Sequence, residues 1–577
     1  MIKKIISRHV PDISCALGDR LHPLLQRIYL SRGVNTPIEL DCTLGRLLPA
    51  QGLKGIDNAV DIITRAIIAN SKIMVVADFD CDGATSCTVA VRGLRAMGAG
   101  PVNYLVPNRF EYGYGLTPEI VEVAAGYRPD VLITVDNGIS SIQGVANAKK
   151  LGMQVVITDH HLQGEGLPDA DAIVNPNQKG DSFKSKNLAG VGVIFYVLLA
   201  CRARLRDQGW FAKKEMDEPN LAQLLDLVAL GTIADLVPLD YNNRILVEQG
   251  LRRIRGGHAC VGMNALLEVS GRGIDRVIAS DMGFAVAPRL NAAGRLEDMS
   301  VGIECLLSDS SRAAGELAVS LDNLNQERKL IESDMRDEAF LELEKIKLDN
   351  NGGDIPVAVC LYDEQWHQGV IGILASRIKE RFHRPVIIFA KGDDGEIKGS
   401  ARSIQGVHIR DVLDAITKKY DGLIIKFGGH AMAAGLTIAL DDIDKFTRAY
   451  TEEICRWVGE EGLQHCIHTD GELGMEEFNL ELAELLRVAG PWGQGFPEPL
   501  FEGDFRVIHQ RIVGKRHLKM ILQPLESSMN IDAIAFNAAD NEIPREGDQR
   551  RFVYKLDVNE YRGQKKLQLM VEYIEMA

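Results

Sequence analysis

The first half of the chain alternates short apolar runs with segments of helical periodicity. An apolar run begins at Ile73, and the residues from Ala84 to Met97 that follow it have the pattern of a helix. Further strand-like runs come at Val102–Val106, Val131–Val135, Gln154–Thr158 and Ala172–Val174. Strands that alternate with helices are typical of βαβ units, so the pattern predicts an α/β domain built on a parallel sheet.

The second half contains three different patterns. A long polar-faced helix is predicted from about Ser311 to Ile346, because apolar residues recur along one side of it. A second α/β unit follows, with a strand at Pro385–Phe389 and a glycine-rich stretch at 427–435. Short alternating segments near the end predict a small β-barrel: Phe505–Gln510, His517–Leu522 and Val553–Val558.

These patterns divide the chain of 577 residues into five predicted segments. They are a mixed, mostly helical lead-in (1–50), the parallel-sheet domain (51–305), a connecting helix (306–349), the second α/β domain (350–460) and the barrel (469–577). The stretch 350–354, with two asparagines and two glycines, reads as a linker.

Composition narrows the class of protein without deciding it. A formal net charge of −15 disfavours a passive nucleic-acid coat, but it allows an enzyme that handles phosphates locally. The ten cysteines contain no C-x-x-C pair, which disfavours a zinc cluster or a disulfide framework. The sequence has neither a signal-peptide pattern nor an apolar run of membrane length, so we expect a cytoplasmic protein that does not enter a membrane.

Acidic and imidazole side chains follow the ends of several predicted elements. Because a parallel sheet brings its strand ends to one edge, we expect these side chains to converge. Oxygen ligands and imidazole suit Mg²⁺ or Mn²⁺, and closely spaced carboxylates repel one another unless cations compensate. The set, in chain order, is Asp78, Asp80, Asp82, Asp136, Asp159, His160, His161 and Asp235.

The stretch from Asp78 to Asp82 has other readings when it is taken alone. An EF-hand loop would need Glu at its twelfth position, where this chain has Val89. A phosphatase with an aspartyl nucleophile and a solvated acidic turn are further alternatives. The eight side chains come from four separate stretches of the chain, and together they favour phosphoester hydrolysis by two divalent ions about 4 Å apart.

At this point the motifs resemble a known superfamily. DFDCDG, VDNG, TDHH and GTIAD resemble the DHH phosphoesterases. PNRFEYGYGL, PRLNAAGRL, WHQGVIGILASRI, GSARSI and FGGHAMAAG resemble, within that superfamily, the RecJ family of single-strand-specific DNA exonucleases. The resemblance runs over nearly the whole chain. It implies a parallel-sheet DHH domain, a long connecting helix, a second α/β domain of the DHHA1 type and a C-terminal OB-fold barrel.

The resemblance also implies roles for single residues. It implies two ions, Mn²⁺ or Mg²⁺, held by Asp80, Asp82, Asp136, His160 and Asp235, with Asp78 near the metals and Asp136 bridging them. His161 would contact the scissile phosphate, and Asp159 and Asp136 complete the catalytic set. A pocket for a 5′-terminal phosphate would comprise Gly399, Ser400 and Arg402, with Arg109, Arg289 and His430 as further DNA contacts. Barrel candidates are Lys515, Arg516, Tyr561 and Arg562; for these, and for His430, a purely structural role stays open.

The implied activity is a metal-dependent 5′-to-3′ exonuclease that releases 5′-mononucleotides from single-stranded DNA in recombination and repair. The alternatives are a phosphodiesterase for short oligonucleotides or cyclic dinucleotides, and a non-enzymatic DNA-binding scaffold. The resemblance further implies a monomer whose partners are the single-strand DNA-binding protein and a repair helicase. Cys81 stands where the family usually has alanine, and we expect Zn²⁺ or oxidants to inhibit this enzyme more than its relatives.

Overall fold

The structure is a computed structural model that describes most of the chain. The residues outside the description are 1–2, 12–16, 19–20, 109–110, 114, 165, 350–354, 393–394, 459–462, 464, 515, 539–542, 562 and 576–577, together with the side chains of 347–349 and 561. The predicted linker at 350–354 therefore lies outside the described residues.

The described residues form seventeen strands. In chain order these are β1 Lys4–Ser7, β2 Ile73–Ala77, β3 Val102–Leu105, β4 Val131–Val135, β5 Gln154–Thr158, β6 Ala172–Val174, β7 Val359–Asp363, β8 Val386–Lys391, β9 Glu396–Arg402, β10 Lys426–Gly429, β11 Ala433–Ala439, β12 Cys466–Thr469, β13 Phe501–Val513, β14 His517–Pro524, β15 Ile531–Ala535, β16 Gln549–Tyr561 and β17 Gln564–Ile574.

Eighteen α-helical segments lie between and around these strands in the described part of the chain. They are α1 Pro23–Leu30, α2 Ile56–Ile68, α3 Cys81–Ala96, α4 Pro118–Ala125, α5 Ile142–Lys150, α6 Gly190–Asp207, α7 Trp210–Lys213, α8 Leu225–Ala234, α9 Tyr241–Arg255, α10 Val261–Val269, α11 Ala279–Asp281, α12 Ala287–Leu296, α13 Ser300–Leu307, α14 Ser311–Asp349, α15 Ile371–Phe382, α16 Ile409–Lys419, α17 Ile443–Val458 and α18 Leu480–Val488. Not one of these helices combines the length and apolar character that a membrane span requires.

The chain divides into two compact units, which we call the large unit (Ser7–Asn325 and Thr469–Ala577) and the small unit (Met1–Ile6 and Gln326–His468). The large unit contains a parallel sheet with the strand order β3-β2-β4-β5-β6. All residues of β2 and β4 are buried, as expected for strands covered on both faces. The strand order reverses between β2 and β4, and ligands bind at such switch points in open α/β sheets.

Helices cover both faces of this sheet. Helix α3 is buried along most of its length, and α8 is apolar all round, which a helix inside a core must be. The barrel also belongs to the large unit and closes in the order β13-β14-β15-β17-β16. Only the β15–β17 pair in it is parallel, whereas the other strand pairs are antiparallel. The predicted OB-fold architecture is thus confirmed.

The small unit has a mixed sheet with the strand order β10-β11-β9-β8-β7. Strands β7 and β8 are parallel, and the remaining pairs are antiparallel. Along β9 buried and half-buried residues alternate, so that one face of the sheet lies on the core. The predicted long helix is also confirmed: α14 is continuous over 39 residues.

Candidate metal centre

The carboxylates that follow β2 are fixed by the start of α3. Asp80 is the N-cap residue of this helix, and its Oδ1 accepts a hydrogen bond of 3.0 Å from the backbone N–H of Gly83. Asp82 lies in the first turn and is 1% exposed. Its two oxygens accept hydrogen bonds from the backbone N–H groups of Gly190 (2.7 Å) and Val191 (3.0 Å), at the start of α6. The positive end of a helix therefore stabilises this buried carboxylate.

Asp136 comes directly after β4, on the other side of the switch point. Its backbone has a φ of 62°, in the left-handed region that Asp tolerates better than most residues. A Cβ at Gly190 would lie 2.6 Å from Asp136 Oδ1, so only glycine allows α6 to begin this close to the carboxylate. Gly190 thus donates a hydrogen bond to Asp82 and, because it has no side chain, leaves room for Asp136.

The histidine pair follows β5, and Asp159 orients it. Asp159 Oδ1 accepts hydrogen bonds from the backbone N–H groups of His160 (2.7 Å) and His161 (3.1 Å), and it lies 2.7 Å from His161 Nδ1. Asp159 Oδ2 accepts from the N–H of Ile139 at 2.9 Å. Burial opposes the charged form of Asp159, but the His161 hydrogen bond prevails and lowers its pKa to about 2. Asp159 therefore acts through His161.

His160 lies between carboxylates from two other elements. Its Nε2 is 3.2 Å from Asp136 Oδ1 and 3.4 Å from Asp235 Oδ2. Asp235 is the C-cap residue of α8, so β4, β5 and α8 each deliver one of these three groups. Residues from three separate parts of the sequence thus meet at one point, as the strand-end pattern predicted.

Three overlapping groups of side chains could each hold a metal ion. In every group the potential ligand atoms lie within 4.8 Å of one another. They are Asp78, Asp80 and Asp136; Asp82, His160 and Asp235; and Asp136, His160 and His161. Because Asp136 and His160 are shared between groups, the arrangement suits two neighbouring ions better than one. The donor set of carboxylates and imidazoles fits Mn²⁺ or Mg²⁺.

The electrostatics of the cluster agree with this fit. Burial, and then the Asp80 carboxylate, raise the pKa of Asp82 to about 7. Burial and the neighbouring Asp82 raise the pKa of both Asp136 and Asp235 well above the usual carboxyl range. Carboxylates shift in this direction when negative charges crowd together in a low-dielectric site, and divalent cations relieve that cost.

Several positioning residues of the site were missed by the sequence reasoning. Asn177 Nδ2 donates to the backbone oxygen of His160 (2.6 Å), and Asn175 Nδ2 donates to that of His161 (2.9 Å). Asn291 Oδ1 accepts from the N–H of Cys81 at 2.8 Å, at the first residue of α3. Asn291 belongs to the PRLNAAGRL motif, which marked this stretch as part of the family pattern. The motif did not indicate that Asn291 contacts Cys81.

A second polar site lies in the small unit, on β9. Arg402 Nη1 donates to Ser400 Oγ (3.0 Å) and to the backbone oxygen of Ala401 (2.8 Å). A Cβ at Gly372, in the first turn of α15, would lie 2.8 Å from Arg402 Nη2 and 3.0 Å from Ser400 Oγ. Burial lowers the pKa of the Arg402 guanidinium. A guanidinium and a hydroxyl beside a helix N-terminus form a suitable cradle for a phosphate.

The other residues predicted to contact DNA lie in several parts of the chain. Arg289 pairs with Asp322 of α14 at 2.7 Å. The backbone N–H of His430 donates to Ala433 O at 2.8 Å, within the β10–β11 turn. Gly399 lies in β9 beside Ser400. Arg516 follows β13 within the barrel, whereas Arg109, Lys515, Arg562 and the side chain of Tyr561 lie outside the described residues.

Comparison with known proteins gives a consistent result for each part of the chain. Residues 72–232 match the family model of the DHH family N-terminal domain, residues 354–455 that of the DHHA1 domain, and residues 469–573 that of the RecJ OB domain. The chain is 52% identical over 570 residues to the single-stranded-DNA-specific exonuclease RecJ of Salmonella typhimurium, with 99% of this chain and 98% of that protein covered. It is 51% identical to the Escherichia coli protein of the same name, with the same coverage.

Solved structures agree with this result. A crystal structure of RecJ from Thermus thermophilus in complex with Mn²⁺ matches with a TM-score of 0.81 at 28% identity, over 100% of this chain and 80% of that one. A second structure from the same organism, in complex with Mg²⁺, matches with a TM-score of 0.75 at 27% identity, over 100% of this chain and 78% of that one. The sheet, its strand-end cluster and these matches define a DHH-type phosphoesterase. Within that class, the chain belongs to the RecJ family.

Proposed function

We propose that this protein is a single-stranded-DNA-specific exonuclease that hydrolyses phosphodiester bonds with two Mn²⁺ or Mg²⁺ ions. The observation that carries the proposal is the convergence of Asp136 and His160 with carboxylates from β2, α3 and α8. The relatives that cover nearly the whole chain are single-stranded-DNA-specific exonucleases, and the related crystal structures are complexes with Mn²⁺ or Mg²⁺.

In this proposal the chain itself prepares the reaction centre. When bound, the ions lower the pKa of a water and stabilise the charge that develops on the phosphate. Asp78, Asp80, Asp82, Asp136, His160 and Asp235 would hold them. Asp159 fixes Nδ1 of His161, so that the opposite ring nitrogen, Nε2, is the atom available to the scissile phosphate. Burial opposes the charged ring, but the Asp159 hydrogen bond raises the pKa of His161 to about 9 in the metal-free cluster.

We further propose a 5′-to-3′ direction and 5′-mononucleotide products. Ser400, Arg402 and Gly399, with Gly372 at the start of α15, form the cradle for a 5′-terminal phosphate. A site that recognises one end of the strand gives the enzyme a direction. Arg109, Arg289 and His430 are proposed as further contacts to the strand, and Lys515, Arg516, Tyr561 and Arg562 as contacts on the barrel.

The experiment that tests this function follows the products from strands labelled at either end. With Mn²⁺, the purified protein should release labelled mononucleotide at once from a 5′-labelled strand, and only late from a 3′-labelled strand. Blunt duplex of equal length should be degraded far more slowly. Asp136→Asn should remove turnover and leave strand binding largely intact. Release of label first from the 3′ end, or unchanged turnover in the variant, would contradict the proposal.

The alternative function is hydrolysis of short oligonucleotides or cyclic dinucleotides at the same centre. The closed barrel favours a longer substrate, because OB-folds bind extended single strands. Comparing rates on a dinucleotide and a long 5′-phosphorylated strand separates the two functions.

We also propose that the protein acts in recombination and repair as a cytoplasmic monomer. Its proposed partners are a single-strand DNA-binding protein and a helicase. We propose the five-segment domain division given above for this chain.

A further inference from the structure

Three polar side chains are fully buried at the carboxyl ends of the parallel strands. They are Thr134 in β4, Asn137 in the turn after β4, and Thr158 at the end of β5. Their neighbours in these strands, such as Val135 and Ile157, are buried aliphatic residues. Burying a hydroxyl or an amide costs stability unless the group is hydrogen-bonded. The hydrogen bonds of these three side chains therefore indicate why the fold keeps them.

These hydrogen bonds join the ends of three strands. Thr158 Oγ1 donates to the backbone oxygen of Thr134 at 2.7 Å, which links β5 to β4. Thr134 Oγ1 donates to the backbone oxygen of Asn137 at 2.7 Å and so closes the turn after β4. Asn137 Nδ2 donates to the backbone oxygens of Val135 (2.9 Å) and Val76 (3.2 Å), which links β4 to β2. We call Thr134, Asn137 and Thr158 the strand-end network.

The groups that the network contacts lie next to candidate metal ligands. Val135 directly precedes Asp136, and Val76 lies two positions before Asp78. The backbone oxygen of Thr158 accepts a hydrogen bond of 3.0 Å from the N–H of Asp136. The network therefore fixes the separation of the strand ends that deliver these ligands.

The turn after β4 accepts a cost in order to form the network. Gly138 has a φ of 115°, and a Cβ at this position would lie 2.6 Å from Thr134 Oγ1, so a side chain here would displace the hydroxyl. Asn137 Oδ1 is buried and has no hydrogen-bond partner among the described residues. An unpaired amide oxygen destabilises a buried site, and a leucine of similar size would avoid that cost. Stability alone therefore does not explain Asn137, whereas its two bonds across the strands do.

We propose that Thr134, Asn137 and Thr158 are positioning residues that set the distance between the two metal ions by fixing the ends of β2, β4 and β5. This inference rests on the proposed two-metal function. Two-metal hydrolysis needs ions about 3.5–4 Å apart, so that both can stabilise the same phosphate. Because the four hydrogen bonds of the network end on backbone oxygens, they form in the metal-free protein and prepare the site before an ion binds.

The network also opposes the repulsion within the cluster. Asp78 and Asp80, which follow β2, and Asp136, which follows β4, have potential ligand atoms within 4.8 Å of one another. Like charges this close favour separation of the two strand ends. Asn137 joins the same two strands and so holds them together.

The test uses substitutions that remove one polar group from the network. Thr158→Val replaces the hydroxyl with a methyl group of similar size, whereas Thr158→Ser keeps the hydroxyl. Asn137→Ala removes both bonds between β2 and β4. Thr64→Val is the matched control, because Thr64 is also buried and donates to a backbone oxygen, that of Val60 at 2.6 Å, within α2.

Four measurements are made on each variant. Titration calorimetry gives the affinity for Mn²⁺. Electron paramagnetic resonance of the protein with two equivalents of Mn²⁺ gives the magnetic coupling between the ions, which weakens as they move apart. The melting temperature of the metal-free protein reports on the stability of the fold. Steady-state hydrolysis of a 5′-phosphorylated strand gives kcat and KM separately.

We expect Thr158→Val and Asn137→Ala to lower the Mn²⁺ affinity and kcat about ten-fold, with little change in KM for the strand. The magnetic coupling should weaken in both. Thr158→Ser should keep most of the wild-type values, and Thr64→Val should lower only the melting temperature. If Thr158→Val and Asn137→Ala lower the melting temperature but leave Mn²⁺ affinity and coupling unchanged, the network only stabilises the fold and the inference is overturned. A wild type that binds no pair of Mn²⁺ ions would instead contradict the proposed function.

Discussion

The carboxylate of Asp159 accepts a hydrogen bond from the His161 ring, with Oδ1 2.7 Å from Nδ1. The same oxygen also accepts hydrogen bonds from the backbone N–H groups of His160 and His161. One buried carboxylate thus fixes the turn that carries both histidines and decides which nitrogen of His161 faces the cluster. The Asp of the TDHH motif thus contributes by orienting the two histidines, in addition to any metal ligand that the motif supplies.

Asp159→Asn should therefore lower kcat about 100-fold while KM changes little, because an amide no longer fixes the charge and orientation of the His161 ring. Asp169→Asn is the matched control, since the Asp169 side chain is 94% exposed and pairs only with Lys149 in the described structure. The measurement is steady-state hydrolysis of a 5′-labelled strand, together with a melting curve of each variant. If Asp159→Asn loses activity only to the extent that its melting temperature falls, Asp159 stabilises the fold and does not position His161.

Asp136→Asn should make the metal-free protein more stable, with the melting transition of the large unit raised by about 2 °C. The physical reason is that the buried Asp136 carboxylate crowds against Asp82, whereas asparagine is neutral and tolerates the same left-handed backbone. Wild type should gain stability when Mn²⁺ is added, because the ion binds only the folded state. The variant should lose most of that gain. Differential scanning calorimetry with EDTA and with Mn²⁺ measures both effects, and an Mn²⁺-induced shift of wild-type size in the variant would contradict the metal assignment.

The sequence predicted the parallel sheet well because buried parallel strands are short, continuous apolar runs. Val131–Val135, Gln154–Thr158 and Ala172–Val174 have the same bounds in the structure as in the prediction. The helix after β2 begins earlier than predicted, at Cys81 instead of Ala84. The reason is that Asp80 caps the helix, so that Cys81, Asp82 and Gly83, which were predicted to lie in a loop, are already helical.

What the sequence could not predict are contacts between distant segments. The hydrogen bond from Cys81 to Asn291 spans 210 positions, and the N–H groups of Gly190 and Val191 reach Asp82 across more than a hundred. Periodicity reports only on neighbours along the chain, so such partners have no local signal. For the same reason the pairing of Arg289 with α14 was not foreseen.

Arg402→Lys should lower kcat/KM about ten-fold on a 5′-phosphorylated strand and leave the rate on a 5′-hydroxyl strand nearly unchanged. Lysine keeps the charge but loses the planar fork that can hold two phosphate oxygens. Gly372→Ala should have the same selective effect, since its Cβ would displace Arg402 Nη2. Lys391→Ala, at the exposed end of β8, is the control. Equal losses on both strands would mean that Arg402 does not recognise the terminal phosphate.

Cys81→Ala should leave the sensitivity to peroxide unchanged, contrary to the oxidant part of the hypothesis based on sequence. The Cys81 side chain is 1% exposed, and reagents need access to a thiol. Cys455 is exposed and should react first, so Cys455→Ser is the control for general thiol oxidation. Mass spectrometry after a peroxide titration identifies the oxidised residue. Early oxidation at Cys81, accompanied by loss of activity, would restore the original hypothesis.

Arg32 and Asp470 form a buried ion pair that joins the end of α1 to the segment before the barrel. Arg32 Nη1 and Nη2 lie 2.7 and 2.9 Å from the two oxygens of Asp470, and each side chain is 1% exposed. The guanidinium also lies over the Trp492 ring, 5.4 Å from its centroid. A pair so deeply buried stabilises the fold only while both partners are present.

Arg32→Met should therefore destabilise the large unit by about 3 kcal/mol, because Asp470 keeps its buried charge and loses its closest cation. Arg8, at 3.6 Å, and the backbone N–H of Leu500, at 3.0 Å, remain near the carboxylate but do not replace the two hydrogen bonds of Arg32. Arg312→Ala is the control, since its pair with Glu316 is exposed and should contribute less than about 0.5 kcal/mol. Urea unfolding followed by tryptophan fluorescence measures both. Combining Arg32→Met with Asp470→Leu should recover much of the loss, because no unpaired charge is then left inside. If the double variant is no more stable than Arg32→Met, the loss of stability arises from the lost packing on Trp492 and not from the unpaired Asp470 carboxylate.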